Sequence, residues 1–226
     1  MRINKLLSNY GICSRSDVNK LIEENRIMVN GKLCSPGQWV EKEDDILIDN
    51  EIITERDKIY IALNKPVGIT CTAEKSVASN IISFMNYPEY IFPVGRLDKL
   101  SEGLILMTND GDLANNILES KNEHEKEYIV TVNKPIDDLF IKGMSEGVVI
   151  CGVKTRICRV SRVCDNTFQI ILTQGLNKQI RRMSKAFGYT VVRLQRKRII
   201  NIKTDGIEVG SWRELTNKEV MELSNI

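Results

Sequence analysis

The sequence predicts an α+β fold made of one small and one large domain. Segments with helical periodicity and segments with strand patterns occur in both halves of the chain, which indicates a fold that contains both helices and strands. A polar, acidic stretch at residues 49–57 has the composition of a linker between residues 1–48 and residues 58–226. The length of 226 residues is sufficient for one sizeable core and a smaller one.

The N-terminal segment predicts two helices and a small sheet. Residues 4–10 have apolar positions at helical spacing, and Gly11 ends this helix because glycine tolerates a positive φ. Ser14 is placed to cap a second helix, with Asp17 positioned to return the hydrogen bond. Strands are predicted at residues 27–29, 32–34 and 46–48, the first two joined by an Asn-Gly turn.

The large segment predicts strands and helices in mixed order, from apolar runs bounded by turn residues. Strands are predicted at residues 58–63, 104–107, 124–132, 148–163 (as one or two strands), 167–172, 190–194 and 198–202. Helices are predicted at residues 77–87, 113–118, 136–144 and, after a loop, up to about residue 187. Thr216 and Glu219 predict a capping box that opens a closing helix.

The amino-acid composition indicates the cellular compartment in which we expect the protein. Apolar residues make up 42% and charged residues 27%, as in a soluble globular protein. No apolar run reaches transmembrane length and the N-terminus lacks the core of a signal peptide, so we expect no membrane partner. Six cysteines without a C-x-x-C pair and a single histidine predict no metal site and suit the reducing cytoplasm.

Charge is strongly segregated although the net charge is only +2. Residues 166–204 carry nine lysines and arginines and no acidic residue, whereas residues 41–57 are mainly acidic. A basic face usually indicates a nucleic-acid partner. The alternative is a solvated surface, because a charge run alone is weak evidence.

Asp98 is the candidate around which the large domain is organised, in the run F-P-V-G-R-L-D-K-L-S-E-G-L-I-L-M-T-N-D-G from Phe92 to Gly111. It lies on a predicted tight loop in front of a buried strand, an arrangement that can present a nucleophile or a base. Taken alone, an Asp near Gly is more often a turn residue. The assignment therefore depends on the other motifs.

The N-terminal segment resembles the small RNA-binding domain first described in ribosomal protein S-four. The resemblance lies in R-I-N-K-L-L, G-I-C-S-R-S-D and R-I-M-V-N-G-K, in this order. It implies that Arg15, Lys20 and Arg26 face RNA phosphates, contacts that release counterions without reading the bases. For each of them a role in surface solubility is the alternative.

Four motifs of the large segment together resemble the pseudouridine synthases. They are K-P-V-G at Lys65, G-R-L-D at Gly95, E-K-E-Y at Glu125 and G-L-N-K-Q-I-R-R-M at Gly175. The group is the one typified by ribosomal small-subunit pseudouridine synthase A. Its branch called ribosomal large-subunit pseudouridine synthase F is the one most resembled by the runs H-E-K-E-Y-I-V-T-V-N-K-P-I, Q-G-L-N-K-Q-I-R-R-M and G-x-W-R-E-L-T. The resemblance implies a catalytic domain with a mixed, mainly antiparallel sheet that carries the cleft across its middle.

The implied reaction is the isomerisation of uridine to pseudouridine in ribosomal RNA. The N1–C1′ bond breaks, the uracil turns and C5 joins C1′, so neither a cofactor nor a metal is expected. The expected substrate is 23S rRNA, with tRNA or 16S rRNA as alternatives, and we expect a monomer. Asp98 would be the catalytic carboxylate; the sequence leaves open whether it bonds C1′, adds to C6 or abstracts the C2′ proton.

The resemblance assigns roles to further residues. Arg181 would pair with Asp98, a phosphate contact being the alternative. Tyr128 would stack on the flipped-out base and assist proton removal from C5, and Arg96 would fill the gap that the uridine leaves. Ile180 would pack beneath the uracil; a plain core position is the alternative for Ile180 and Tyr128. Further substrate contacts are expected from Leu97, Lys178 and Arg182.

Two other functions compete with this interpretation. A non-catalytic, ribosome-associated RNA-binding protein would use the N-terminal domain alone and leave the large domain without a role. A hydrolase of an N-glycosidic bond would need a positioned water and usually a second carboxylate. Glu125 and Glu127 are the acidic residues near Tyr128 in the matched motifs, and their polar neighbours predict exposure.

Overall fold

The computed structural model describes residues 1–74 and 76–225, and both of its domains combine helices with strands. The helices are α1 (Ile3–Asn9), α2 (Arg15–Glu23), α3 (Ile81–Met85), α4 (Gly111–Leu118), α5 (Asp138–Ser145), α6 (Gln179–Ala186) and α7 (Asn217–Ser224). The first strands are β1 (Ile27–Val29), β2 (Lys32–Leu33), β3 (Ile46–Ile48), β4 (Glu51–Ile52), β5 (Tyr60–Lys65), β6 (Phe92–Pro93) and β7 (Glu102–Thr108). The later strands are β8 (Lys126–Val132), β9 (Val149–Ile150), β10 (Val153–Lys154), β11 (Arg159–Cys164), β12 (Thr167–Leu172), β13 (Val191–Ile199), β14 (Ile202–Lys203) and β15 (Trp212–Glu214). Within this part of the chain, no helix has both the length and the apolar character of a membrane span.

The N-terminal domain packs α1 and α2 on a four-stranded sheet of order β2-β1-β3-β4. The Ser14 hydroxyl caps α2 by accepting from the Asp17 N–H, and it donates to the Asp17 carboxylate at 2.6 Å, as predicted. Asn30 and Gly31, with φ of 49° and 73°, form the predicted turn. Strand β4 pairs with β3, so the first residues of the predicted linker extend this sheet.

The large domain is built on a nine-stranded sheet. Its order is β11-β12-β8-β13-β7-β5-β15, with β14 paired to β13 and β6 paired to β7. Neighbouring strands among the described residues are antiparallel except β13 and β7, which are parallel. The predicted α+β class and the mixed, mainly antiparallel sheet are therefore confirmed.

Helices cover both faces of this sheet. Consecutive strand residues point to opposite sides, so each strand contributes side chains to a core on either face. Ile61 and Ile105 belong to the core under α3, α5 and α6, where Phe140 and Met183 are fully buried. Ala62 belongs to the core under α4 and α7. The sheet thus separates two hydrophobic cores, one on each face.

The parallel pairing of β7 and β13 depends on Gly103. Its φ is +106°, and a Cβ there would lie 2.2 Å from the Arg196 carbonyl oxygen. The two backbones approach closely only because residue 103 has no side chain. This contact brings the loop before β7, which carries Asp98, next to the strands that carry Tyr128 and Arg196.

Several predicted boundaries were wrong. The two strands expected at residues 190–194 and 198–202 are mainly one strand, β13, because sheet pairing carries the chain through its basic run. The helix expected at residues 77–87 is only α3, which ends at Asn86 in the left-handed region. Residues 148–163 contribute to three strands rather than one or two. Cys151 and Gly152, both with positive φ, separate β9 from β10, and residues 155–158 separate β10 from β11.

Candidate active site

A cleft of about 800 Å³ runs across the middle of the large sheet. One wall is the loop around Asp98, and the other is formed by the loop before α6 and the start of that helix. Strands β8 and β13 contribute the floor. This volume lies in the range of pockets that bind organic ligands.

Backbone hydrogen bonds hold the Asp98 loop. The Ser101 N–H donates to the Asp98 carbonyl at 2.9 Å, which closes a tight turn. The Gly68 N–H donates to the Lys99 carbonyl at 2.8 Å and ties this turn to the loop after β5. The carboxylate of Asp98 retains 34% exposure and lines the cleft. A carboxylate on such a braced loop is held in position but remains open to a ligand.

Arg181, on the first turn of α6, faces Asp98. Its Nε lies 3.9 Å from Asp98 Oδ2. Its Nη2 donates to the Leu100 carbonyl at 2.9 Å and to Ser101 Oγ at 3.2 Å, and its Nη1 donates to the Val191 carbonyl at 3.1 Å. The guanidinium therefore forms an ion pair with Asp98 and also anchors the loop that carries it.

Apolar side chains form a slot beside the carboxylate. Ile180 on α6 and Leu97 on the Asp98 loop are both buried and line the cleft. Tyr128 on β8 is 9% exposed and lines it too. A flat ring facing aliphatic side chains is suited to holding a base that has left its stack.

The other predicted substrate contacts lie in different places. Arg96 and Lys178 are exposed at the rim of the cleft. Arg182 does not line the cleft, because its guanidinium donates to Asn177 Oδ1 at 2.7 Å and contacts Cys151 Sγ. Arg182 thus braces the loop before α6 from outside.

The three predicted RNA contacts of the N-terminal domain differ in whether their charges are already paired within the protein. Arg15 and Lys20 are exposed on α2, with Lys20 Nζ 3.8 Å from an Asp17 carboxylate oxygen. The guanidinium of Arg26 instead binds Asp49 at 2.6 and 2.8 Å and Glu24 at 3.0 Å. Its charge is already compensated within the domain.

Three basic residues of low exposure lie near the cleft. Lys65 was noted only within the K-P-V-G motif, and Lys126, which is half-buried, and Arg196, which is buried, were not predicted. Lys65 is fully buried, and its Nζ donates to the carbonyls of Pro66 and Ile69 at 2.8 and 2.9 Å; burial lowers the pKa of Lys65. Lys126 and Arg196 line the floor of the cleft. Lys126 precedes Tyr128 by two residues, and this strand alternation would have indicated the shared face. Nothing local in the sequence distinguishes Arg196 from its basic neighbours.

The acidic residues of the E-K-E-Y motif do not face the cleft. Glu127 and Glu125 bind Arg198 at 2.8 and 2.9 Å. The acidic residue that lines the cleft together with Asp98 is Glu119, whose carboxylate forms an ion pair with Lys121 at 2.9 Å. Among the described residues, Asp98 is therefore the carboxylate that combines an arginine partner with the apolar slot.

Comparison with known proteins agrees with both domains. The RNA pseudouridylate synthase family matches residues 59–186, and the S4 domain matches residues 1–46. The dual-specificity RNA pseudouridine synthase RluF of Escherichia coli is 48% identical over 99% of this chain and 78% of its own length. The ribosomal large subunit pseudouridine synthase B of Bacillus subtilis is 30% identical over 98% and 95%.

A solved structure shares the whole architecture. The crystal structure of a pseudouridylate synthase superposes with a TM-score of 0.74 and 29% identity, covering 99% of each chain. The expected resemblance is thus confirmed, including the likeness to the RluF branch. On this sequence match and this fold, the chain belongs to the RNA pseudouridine synthase family, enzymes that isomerise uridine to pseudouridine in RNA.

Proposed function

We propose that this enzyme acts in the cytoplasm, as a monomer, on one uridine or a few adjoining uridines of 23S rRNA, with Asp98 as the catalytic carboxylate. The observation that carries the proposal is the convergence of Asp98, Arg181 and Tyr128 on one cleft. All three come from a single chain, which is why a monomer is sufficient. The free cysteines are compatible with a reducing compartment.

The geometry supports a role for each group. Asp98 reaches the sugar of the flipped-out uridine, Arg181 holds the loop and balances its charge, and Tyr128 with Ile180 encloses the uracil. Arg96, exposed at the rim, replaces the lost stacking in the RNA. The proton leaves C5 as the C5–C1′ bond forms, and N1 ends protonated, so the isomerisation balances without another reactant.

Mapping of pseudouridine in ribosomal and transfer RNA tests this proposal. Cells that lack the gene should lose pseudouridine at one site, or at a few adjoining ones, in 23S rRNA. The wild-type gene should restore it, whereas Asp98→Asn should not, although its chain still binds RNA. Unchanged RNA, or loss confined to small-subunit RNA, contradicts the assignment.

The same mapping of pseudouridine tests whether a second class of RNA is also a substrate. Relatives at 48% identity carry the description dual-specificity, which favours a second substrate class such as a tRNA with a similar stem-loop. Loss of pseudouridine from both RNAs would support this interpretation. Release of free uracil from RNA by the purified chain would instead identify a hydrolase.

A further inference from the structure

Arg196, which is buried, and Lys126, which is half-buried, place two cations on the floor of the cleft. Arg196 lies directly across the strand pair from Tyr128, and Lys126 lies two residues from Tyr128 on the same strand. Arg196 is only 4% exposed. Burial and the neighbouring Arg196 guanidinium both lower the pKa of Lys126, so the two charges are close enough to repel each other.

Neither cation has the partners that burial normally demands. Arg196 Nε donates to the Leu104 carbonyl at 2.6 Å, but its Nη2 is buried without a hydrogen-bond partner in the described part of the chain. Lys126 Nζ has one long hydrogen bond, to the His124 carbonyl at 3.3 Å. Among the described residues, neither forms an ion pair with a carboxylate, and Glu125 and Glu127, which flank Lys126 in the chain, bind Arg198 instead. A buried guanidinium with an unpartnered nitrogen is costly, and a half-buried ammonium beside it adds to that cost, which indicates that a ligand completes this site.

The ligand that compensates this floor is anionic. The carbonyl oxygens of uracil carry only partial charges and cannot balance two neighbouring cations. A phosphodiester has a full negative charge and two free oxygens, which match the donors of a guanidinium and an ammonium group. The apolar slot of Tyr128 and Ile180 already suits the uracil, so the basic floor is available to the backbone that carries it.

We propose that Lys126 and Arg196 form a pocket for a phosphodiester adjoining the target uridine. The proposal rests on the proposed RNA substrate and adds a contact that draws the RNA backbone into the cleft. It assigns these residues to substrate binding and leaves the reacting atoms to Asp98 and Tyr128.

The salt dependence of RNA binding tests the pocket without requiring turnover. The probe is a tiled set of 23S rRNA fragments, and the fragment that the Asp98→Asn chain binds most tightly is used throughout. Adding Lys126→Met should weaken binding on the order of tenfold. It should also reduce the slope of log K against log salt by about 0.7, the value for one phosphate contact on a single strand.

Variants separate a phosphate contact from a structural effect. Lys126→Arg keeps the charge and should preserve the slope, and Arg196→Lys should preserve the slope while weakening binding. Lys142→Met, on an exposed part of α5, is the matched control and should change neither quantity. An unchanged slope in Lys126→Met, with melting temperature retained, overturns the pocket.

Synthetic RNA locates the phosphate. A neutral methylphosphonate on the 5′ side or the 3′ side of the target uridine should weaken binding in one of the two positions. That loss should vanish in Lys126→Met, because the contact is already gone. If the losses from the methylphosphonate and from Lys126→Met are additive at both positions, the pocket is refuted even though the RNA still binds. If no fragment binds the Asp98→Asn chain, the proposed substrate fails, and the pocket fails with it.

Discussion

Arg181 Nε lies 3.9 Å from Asp98 Oδ2, while Nη2 of the same guanidinium donates to the Leu100 carbonyl two residues beyond that aspartate. One side chain thus fixes both the charge environment and the backbone position of Asp98. Only a fork of several donors can perform both tasks, because the carboxylate and the carbonyl lie in different directions.

Arg181→Lys should therefore be severely impaired although it keeps the positive charge. A lysine can reach one of these acceptors but not all of them, and displacement of a reacting group by about 1 Å can cost on the order of 10²-fold in rate. We expect a fall of that order in kcat and only a small change in RNA affinity, measured by single-turnover pseudouridine formation and by filter binding. Near-normal kcat in Arg181→Lys would show that charge alone suffices.

Tyr128→Phe separates stacking from proton transfer. The ring of Tyr128 lines the cleft, and phenylalanine preserves its flat surface. If the hydroxyl assists removal of the C5 proton, its loss should slow turnover by about 10²-fold, the lower range for general acid–base catalysis. RNA affinity should stay within a factor of about three, since stacking is retained. A Phe variant with full activity would reduce Tyr128 to a stacking platform.

Gly103→Ala should destabilise the large domain strongly. Its Cβ would meet the Arg196 backbone at 2.2 Å, so β7 and β13 must separate. Gly206→Ala is the control, because Gly206 also has a positive φ (+75°) but a Cβ added there would meet no atom within 4 Å. We expect about 1 kcal/mol for the control and at least about 3 kcal/mol for Gly103→Ala in denaturant unfolding. Equal losses would mean that the strands accommodate the methyl group.

Local chemistry explains which parts of the fold the sequence predicts well. The Ser14 cap, the Asn30–Gly31 turn and the Thr216–Glu219 capping box each depend on residues within four positions, and all are present. Strand β15 was missed because three residues give no alternation to detect. Strand β13 was divided in two because its continuity comes from pairing with β8 rather than from its own sequence.

The residues of the candidate site likewise include some that the sequence predicted and some that it did not. Asp98, Arg181 and Tyr128 were predicted from motifs, and the structure brings them to one cleft. Lys126 and Arg196 were not predicted: the alternation from Tyr128 indicates only which face Lys126 shares, and Arg196 is buried where β13 pairs with β7. No local pattern indicates that contact, although the glycine at 103 permits it.

The N-terminal domain should contribute phosphate contacts through Arg15 and Lys20 more than through Arg26. The guanidinium of Arg26 already binds Asp49 and Glu24, whereas Arg15 is exposed. Arg15→Ala and Lys20→Ala should each lower the salt slope of RNA binding by about 0.7 to 0.9, and Arg26→Ala should leave it nearly unchanged. A larger slope change for Arg26→Ala would show that RNA displaces its carboxylate partners.

The closing helix α7 is tied to β15 by a bidentate ion pair. Arg213 donates to both Glu219 carboxylate oxygens at 2.7 and 2.8 Å, and the Thr216 N–H donates to Glu219 at 2.9 Å. These bonds, the Arg213 contact foremost, lower the pKa of Glu219 to about 2 from its ordinary 4.5. The charged form of Glu219 is thus favoured in the folded chain.

Stability should therefore depend on pH through Glu219. Because the folded pKa lies below the ordinary one, the contribution is complete above about pH 5 and is lost as pH falls from 4.5 through 2. Glu219→Gln should cost about 1–2 kcal/mol at pH 6, allowing for solvent screening of the pair, and the difference from wild type should shrink toward pH 2. Urea unfolding at both pH values measures it. Thr216→Val removes the hydroxyl that accepts from the Glu219 N–H and also donates to the Glu219 carboxylate, so its deficit should shrink only in part at low pH. A pH-independent deficit in Glu219→Gln would contradict the linkage.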